Sequence, residues 1–256
     1  MSAASKRRVQ AQPGWVLHTW PWRETSLIAE VLTCEQGRLS LVAKGARRPS
    51  SPLRGQLMAF QPLLLSWHGA GELKTLTQAL WQGGLPRLGG EALLCGYYLN
   101  ELILKLTARE DPHPGLFAAY GEALAELATQ DNPAPALRRF ELALLADTGY
   151  APVLEREGGA QGAPVRADGQ YVYLAEHGPA RAGNEHPFDR TRLHGQTLLD
   201  MARGDFSHPR TLAQAKGLLR ELIEPHLHGK MLTTRRIFQE TIVRPPRAAA
   251  RYGEQA

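Results

Sequence analysis

The stretch SLIAEVLTCEQGRLSLVAK, from Ser26 to Lys44, contains the clearest strand patterns of the chain. Its first half is rich in apolar and β-branched residues, and its second half alternates polar and apolar residues. Both patterns are typical of short β-strands, and Gly37 between them is typical of a turn. The stretch therefore predicts strands at Ser26–Cys34 and Arg38–Lys44.

Three further strands are predicted on either side of this stretch. Trp15–Trp20 alternates loosely before Pro21, whereas Phe60–Trp67 and Leu73–Ala79 lie on either side of a glycine-rich turn. Five short strands in about 70 residues, without a helix among them, indicate a small closed barrel. The pattern suits an OB-fold and an SH3-like barrel equally well.

The hydrophobic period changes after the stretch WQGGLPRLGG, residues 81–90, whose glycines and proline mark a domain junction. Beyond it the sequence predicts helices, of which the first is apolar on nearly all sides and therefore central. The predicted helices are Glu91–Leu106, Gly115–Thr129, a segment from Pro135 to Gly149, Leu193–Ala202 and Thr211–Glu224. One strand-like piece, Tyr171–Leu174, interrupts them.

Charge is distributed unevenly along the chain. Residues 1–80 hold ten Lys and Arg against four Asp and Glu, residues 81–209 hold eleven against seventeen, and residues 210–256 hold nine against four. Basic segments attract polyanions, although they also serve solubility. Two basic ends around an acidic middle favour a polyanionic partner.

Several protein classes lack their sequence signatures here. No apolar run approaches the roughly 18 residues of a transmembrane helix, and the basic N-terminus lacks the apolar segment of a signal peptide. Cys34 and Cys95 are far apart, which favours a reducing cytoplasm over a disulfide framework. Phosphate-loop, nucleophile-elbow and zinc-protease motifs are absent. We therefore expect no enzymatic activity, no cofactor, no small-molecule substrate and no membrane association.

The segment KGARRPSSPLRG, residues 44–55, has four cations and no carboxylate. Its prolines and glycines predict a loop that projects from the barrel. Because guanidinium groups suit bidentate phosphate contacts, we expect Lys44, Arg47, Arg48 and Arg54 to bind nucleic-acid phosphates. A solvated loop that keeps the domain soluble is the alternative.

All five tryptophans lie in the first 81 residues. The stretch WPWR, residues 20–23, places two indoles and a guanidinium around a strand break. Exposed indoles stack on unpaired bases, so Trp22 with Arg23 is a candidate for nucleic-acid binding, and Trp20 is a second stacking candidate. The alternative is that these tryptophans are core residues.

A second cationic cluster, Lys230 with Arg235 and Arg236, is also a candidate for nucleic-acid binding, with a solvated charged face as the alternative. The nearby histidines, His226 and His228, are two residues apart and point in different directions on a helix. Since no third ligand is close in sequence, we expect no metal site.

Four stretches, in this order, resemble the RecO family of recombination mediators. They are WPWRETSLIAEVLTCEQGRLSLVAKGARRPSS (20–51), GYYLNELILKL (96–106), LRRFELALLADTGYAPVL (137–154) and LAQAKGLLRELIEPHLHGKMLTTRRIF (212–238). The resemblance covers about residues 14–240 and both parts of the chain. Any one stretch alone is weakly specific, whereas four in sequence are specific.

The resemblance implies an α+β protein, with an N-terminal OB-fold barrel followed by an α-helical C-terminal domain. The boundaries we predict are a barrel over 14–82, a Gly-rich linker over 83–90 and a helical domain over 91–243, with disordered tails at 1–13 and 244–256. It also implies recombinational DNA repair in the cytoplasm, at the nucleoid. RecO-like proteins bind single- and double-stranded DNA, anneal strands, and with RecR help load RecA onto DNA coated by single-stranded-DNA-binding protein (SSB). An OB-fold RNA-binding factor is the alternative.

RecO-like proteins also bind the acidic, hydrophobic C-terminal tail of SSB, and the resemblance places the helix at Leu137–Thr148 beside that pocket. On a helical wheel Arg138 lies between Leu142 and Leu145, a cation bordered by apolar side chains. We therefore expect Arg138 to anchor the tail, with Arg139 in reserve and Lys216 nearby. An arginine that covers the core with its stem is the alternative.

One feature departs from the family. Many RecO proteins carry a four-cysteine zinc site after a Gly-Tyr pair, but Gly149-Tyr150 is followed here by APVLEREGGAQGAPVRADGQ, without a cysteine. Structural zinc needs about four thiolate or imidazole ligands. The sequence therefore predicts a zinc-free member.

Overall fold

Five strands close into a barrel at the start of the chain. In the computed structural model, which describes residues 8–159, 161–183 and 192–242, the barrel order is β1-β2-β3-β5-β4. Only β3 and β5 pair in parallel, and the other neighbours are antiparallel. This five-stranded closure is that of an OB-fold and confirms the predicted class. The strands are β1 Arg8–Trp22, β2 Ser26–Thr33, β3 Gly37–Ala43, β4 Pro62–His68 and β5 Leu73–Trp81.

Strand β1 is longer than the sequence predicts in both directions. It begins at Arg8, where Arg8 and Val9 pair with the end of β4, so the predicted N-terminal tail over 1–13 is too long. It also continues through Pro21 to Trp22, paired with β2. Pairing with two partner strands stabilises a segment whose own alternation is weak. Residues 1–7 and 243–256, which include the predicted C-terminal tail at 244–256, lie outside the described residues.

Strand β1 is buried on both faces around Val16 and Leu17. Successive side chains of a strand point to opposite faces, so Val16 packs in the barrel interior, whereas Leu17 packs with Trp15 in the core of the helical part. A β-bulge follows, where the register shifts between Val16 and His18. Strand β1 therefore contributes to the apolar clusters of both parts of the chain.

In the described residues, the helical part contains six α-helices. They are α1 Gly90–Leu106, α2 Pro114–Thr129, α3 Ala134–Asp147, α4 Gly195–Ala202, α5 Pro209–Ile223 and α6 Thr233–Ile242. Five agree closely with the predicted helices, and α1 is central as expected, with Leu99, Leu102 and Ile103 buried. Before it, Leu85 and Leu88 of the predicted linker pack against the helical core, so this segment is not a free tether.

Two parts of the helical domain differ from the prediction. Tyr171–Leu174 lies in a strand, β6 Gln170–Leu174, but two further strands pair with it, β7 Gly178–Arg181 and β8 Arg192–His194. Leu193 therefore belongs to β8 and not to the next helix. Helix α6 was not predicted, because only three of the ten residues of TTRRIFQETI are apolar.

Candidate functional site

The loop over residues 44–55 follows β3 as a series of turns, and its cations are exposed. The backbone N–H of Arg47 donates to the carbonyl of Thr25 at 2.8 Å, and its guanidinium donates to the carbonyl of Glu24 at 3.2 Å. These bonds hold the loop against the turn between β1 and β2. The loop cations therefore lie beside Arg23, which sequence reasoning had placed in the same function.

Arg23 and the four cations of the loop have no acidic partner among the described residues. Among the described residues no carboxylate forms an ion pair with any of them: Arg23, Lys44, Arg47, Arg48 and Arg54. Unpaired, exposed guanidinium groups retain their donors for an external anion. We call these five residues the basic surface.

Some of the five tryptophans are core residues and others are exposed, so each of the two hypotheses from the sequence applies to part of them. Trp15 and Trp67 are core residues, whereas Trp22 is exposed and Trp20 is half-buried and stacks on His18, with ring centroids 5.7 Å apart. Trp81, to which sequence reasoning gave little weight, is the most exposed at 60%. In the sequence, this exposure was indicated by the position of Trp81 at the end of β5, next to the glycine-rich junction.

The predicted cluster at the C-terminal end is divided by the structure. Lys230 and Arg236 are exposed, and Arg236 lies 4.0 Å from Glu240. Arg235 is half-buried and lines a cavity between helices. The three cations therefore do not form one surface, because α6 directs adjacent side chains to different sides.

A cavity of about 680 Å³ lies between α1, the start of α3, α5 and α6. Four cations line it: Arg138, Lys216, Arg220 and Arg235. Apolar side chains also line it, among them Leu137, Leu212 and Phe238, together with the carboxylates Glu91, Asp131 and Glu141. We call this the helical cavity. It combines the two features, cationic and apolar, that were predicted around Arg138.

The structure brings Arg138 and Lys216 together here but not Arg139. The Arg139 guanidinium forms an ion pair with Glu126 of α2 and donates to the carbonyl of Gly204 at 3.4 Å. Arg139 is therefore held away from the helical cavity, and its role as a reserve anchor stays a prediction that this position does not favour. The sequence did not predict Arg220, Arg235 or Phe238 at this cavity. Arg235 and Phe238 line it only because α6 docks there.

Arg138 is more deeply buried than the helical wheel indicates. It is 7% exposed, and its Nη2 lies 2.7 Å from Oε1 of Glu141. The Tyr98 hydroxyl donates to the same oxygen at 2.7 Å. Burial raises the pKa of the Glu141 carboxyl, and the nearby Arg138 charge and Tyr98 hydrogen bond only partly oppose this.

This buried group is incompletely satisfied. Within the described residues the Nε of Arg138 and the Oε2 of Glu141 have no hydrogen-bond partner. A buried polar atom without a partner costs free energy. The pair therefore leaves one cationic donor and one carboxylate oxygen unsatisfied beside the helical cavity.

Metal and membrane sites were also sought over the described ranges. Within these ranges, no three His, Cys, Asp or Glu side chains lie close enough together to hold a metal ion. In the same ranges, no helix combines the length and apolar character needed to cross a membrane. Both cysteines are free thiols. The absence of zinc stays a prediction.

Comparison with known proteins covers most of the chain. Residues 8–83 match the family described as "Recombination protein O N terminal", and residues 87–236 match "Recombination protein O C terminal". A DNA repair protein RecO from Azoarcus sp. (strain BH72) is 57% identical over 241 residues, 93% of this chain and 99% of that relative. A DNA repair protein RecO from Aromatoleum aromaticum is 56% identical over 238 residues, 93% of this chain and 98% of that relative.

Proposed function

The chain belongs to the RecO family of recombination proteins, and on that premise we propose that it acts in DNA repair as a binding protein without covalent catalysis. Its two parts divide the work. The barrel binds DNA through the basic surface, and the helical cavity binds the C-terminal tail of SSB. The observation that carries the proposal is the separation of an unpaired cationic surface from a cavity that is both cationic and apolar.

DNA binding by the barrel rests on the basic surface. Its five cations come from two segments that hydrogen bonds hold together, so they present a fixed array of charge. Lysine and arginine at such a surface release condensed counterions when they contact phosphates. Trp22, exposed beside Arg23, adds an indole on which an unpaired base can stack.

Tail binding by the helical cavity rests on its mixed lining. An acidic, hydrophobic peptide needs cations for its carboxylates and an apolar wall for its side chains. Arg138, Lys216, Arg220 and Arg235 supply the first, and Leu137, Leu212 and Phe238 supply the second. A plain RNA-binding factor needs no such cavity, which counts against the alternative.

The proposal extends to the steps that family membership implies. The protein anneals complementary strands at the nucleoid and, with RecR, helps RecA replace SSB on single-stranded DNA. In this scheme the tail contact brings the protein to SSB-coated DNA, while the barrel contacts the strand itself. These steps rest on the resemblance alone, whereas the contacts of the basic surface and the lining of the helical cavity also support the two proposed binding sites.

The test uses two titrations, one with fluorescent single-stranded DNA or RNA and one with an SSB-tail peptide. Changing Arg47, Arg48 and Arg54 together to Ala removes three phosphate contacts, so the log–log salt slope of DNA binding should fall by about 2, at roughly 0.7 per contact. Lys216→Ala should weaken peptide binding about tenfold, the loss of one charge-assisted contact. Each change should leave the other ligand unaffected.

Arg210→Ala is the matched control, because Arg210 is also an exposed cation of α5 but does not line the cavity. Lys216 is preferred to Arg138, since its side chain is exposed and acts on the buried Glu141 only through its charge, without an ion pair. Equal losses of DNA and peptide binding in one variant would overturn the two-site division. Binding of RNA with higher affinity than DNA would favour the RNA-binding alternative.

A further inference from the structure

A second cavity lies where the barrel meets the helical part. It has a volume of about 510 Å³ and is lined by β1, by the segment before β4, by the junction before α1 and by α1. We call it the junction cavity. Arg87 is its charged lining residue, and no carboxylate is among the lining residues. Its chemistry therefore differs from that of the helical cavity, where carboxylates stand among the cations.

Two aromatic rings, Phe60 and Tyr97, line this cavity among mostly aliphatic side chains. The two rings meet edge to face, with centroids 5.1 Å apart, and Tyr97 is 45% exposed. Gln61 also lines the cavity, and its side-chain oxygen accepts from the indole N–H of the exposed Trp81 at 3.0 Å. The cavity thus offers one exposed aromatic ring, aliphatic side chains and a guanidinium, which together suit a flat ring with an adjacent negative charge.

Strand β1 connects this cavity to the basic surface. After the bulge, His18, Trp20 and Trp22 occur at every second position, so their side chains leave the same face of the strand. Thr19, between them, pairs with Ala29 of the barrel interior, which places the three aromatic residues on the outer face. We call these three residues the aromatic row.

The row leads from one site to the other. At one end Trp22 precedes Arg23 of the basic surface, and at the other end His18 lines the junction cavity. Four residues of strand span about 13 Å, at roughly 3.3 Å each. Positions two residues apart on a strand are about 6.6 Å apart, and the His18 and Trp20 rings lie 5.7 Å apart, stacked on each other.

We propose that an unpaired DNA strand lies along the aromatic row and places one base in the junction cavity against Tyr97. This rests on the proposed DNA-binding function and assigns to it a path through residues that the basic surface does not include. The basic surface holds the phosphates at the Trp22 end, and Arg87 holds a phosphate at the cavity end. A duplex does not use the row, because its base faces are stacked on one another.

The first experiment measures affinity for an oligo-deoxythymidine about 12 nucleotides long, within the ~4–16 that an OB-fold covers. Tyr97→Ala and Trp20→Ala should each weaken binding between roughly fivefold and a hundredfold, the range for loss of one stacked base. Tyr97→Phe should retain binding. Affinity for a duplex of the same length should not change in any of these variants.

Tyr150→Ala is the matched control, because Tyr150 is also an exposed tyrosine, at 55%, but lies after α3 and stacks on His226. The second experiment replaces single thymines by 5-iodouracil and maps the photo-crosslinks in the wild-type chain by mass spectrometry. It needs no substitution, so a folding defect cannot mimic its result. Crosslinks at Tyr97 and at Trp20 or Trp22 are expected.

The outcomes separate this proposal from the one on which it rests. If the wild-type chain binds no single-stranded DNA, both the proposed function and the path are overturned. If the wild-type chain binds and the loop variant is weakened, while Tyr97→Ala binds as tightly as wild type and no crosslink forms there, the path alone is overturned. Equal losses on single strands and duplexes would also overturn it.

Discussion

At the scale of single residues, the pair of Arg138 and Glu141 shows why a charge at a binding site also affects stability. Both are buried, and the carboxylate has two neighbours, the Arg138 guanidinium and the Tyr98 hydroxyl. Removal of one partner from a buried ion pair leaves an uncompensated charge. The free-energy cost of that charge is larger than the stabilisation that the intact pair provides. Arg138 is therefore a positioning residue for the cavity wall as well as a donor.

Arg138→Ala is expected to lower the free energy of unfolding by about 3–5 kcal/mol at neutral pH. The Glu141 pKa is already raised by burial in the wild-type chain, and loss of the Arg138 charge raises it further. A raised folded-state pKa favours the protonated fold, so the destabilisation should shrink as the pH falls towards the unfolded-state value near 4.5. Urea unfolding at several pH values measures this.

Addition of Glu141→Gln to Arg138→Ala should recover part of the lost stability, since it removes the unpaired charge. If Arg138→Ala alone has wild-type stability at neutral pH, water reaches Glu141 in that variant. In either case, a loss of peptide binding in Arg138→Ala is interpretable only beside Lys216→Ala, which leaves the buried pair intact.

At the scale of elements, helix α6 depends on a carboxylate of another helix. Glu101 of α1 accepts from the backbone N–H of Thr233 at 2.8 Å, and from the N–H and the hydroxyl of Thr234 at 2.9 and 2.7 Å. Burial opposes the charge on Glu101, but these bonds outweigh it and lower its pKa to about 2. This contact begins α6 and sets Arg235 and Phe238 at the helical cavity.

Glu101→Ala is expected to lower stability by about 1 kcal/mol, as for loss of a helix cap. Amide hydrogen exchange should accelerate in α6 before it does in α2 or α3, and peptide binding should weaken because Arg235 is no longer held. The depressed folded-state pKa also predicts a pH effect. The contact contributes fully above the usual value of 4.5 and is lost as the pH falls towards about 2.

Glu122→Ala is a suitable control, as an exchange in the middle of a neighbouring helix, α2. If exchange in α6 is equally fast in wild type and in Glu101→Ala, the helix is held by its apolar contacts and not by the carboxylate.

At the scale of the whole molecule, a buried carboxylate joins the barrel to the helical part. Glu30 of β2 lies 2.5 Å from Nη1 of Arg38 and 3.2 Å from Nη2 of Arg109, which follows α1. Burial raises its pKa, but the bonds from Ser40 and Arg109 and the two charges outweigh this, so the pKa is lowered. The Arg38 guanidinium also donates to the carbonyl of Thr107 at 2.8 Å.

The close approach of the two parts also constrains the hairpin between β2 and β3. Gly37 has a φ of +64°, and a Cβ there would lie 2.0 Å from the carbonyl oxygen of Asp111, between α1 and α2. Only glycine combines this backbone conformation with the available space. The glycine that marks the turn in the sequence is thus required by the contact between the two parts.

Glu30→Gln is expected to destabilise the whole chain by about 3–5 kcal/mol, because two guanidinium groups lose a buried partner. Unfolding followed by tryptophan fluorescence reports the barrel, which contains all the tryptophans, whereas circular dichroism at 222 nm reports the helices. The two transitions should coincide in wild type and separate in Glu30→Gln. Glu35→Gln, at an exposed residue of the same hairpin, should change neither. Coincident transitions in both variants would mean that the shared apolar core alone couples the parts.

The order of the elements and their helical or extended character can be predicted from the amino-acid sequence alone. The strands of the barrel, five of the six helices, the central position of α1 and the exposed basic loop all follow from patterns within a dozen neighbouring residues. The resemblance of four stretches to one family also needed no structure, and the comparisons confirm it.

Contacts between distant residues, in contrast, depend on how the elements pack together. The parallel pairing of β3 with β5 distinguishes the OB-fold from other barrels, and the start of β1 at Arg8 depends on its pairing with β4. Arg235 joins the helical cavity because Glu101 caps a helix 133 positions away in sequence. Arg139 lies outside that cavity because it forms an ion pair with Glu126 of α2. The physical reason is that periodicity records which side of an element is buried, whereas the partner across the interface is set by contacts between segments far apart in the chain.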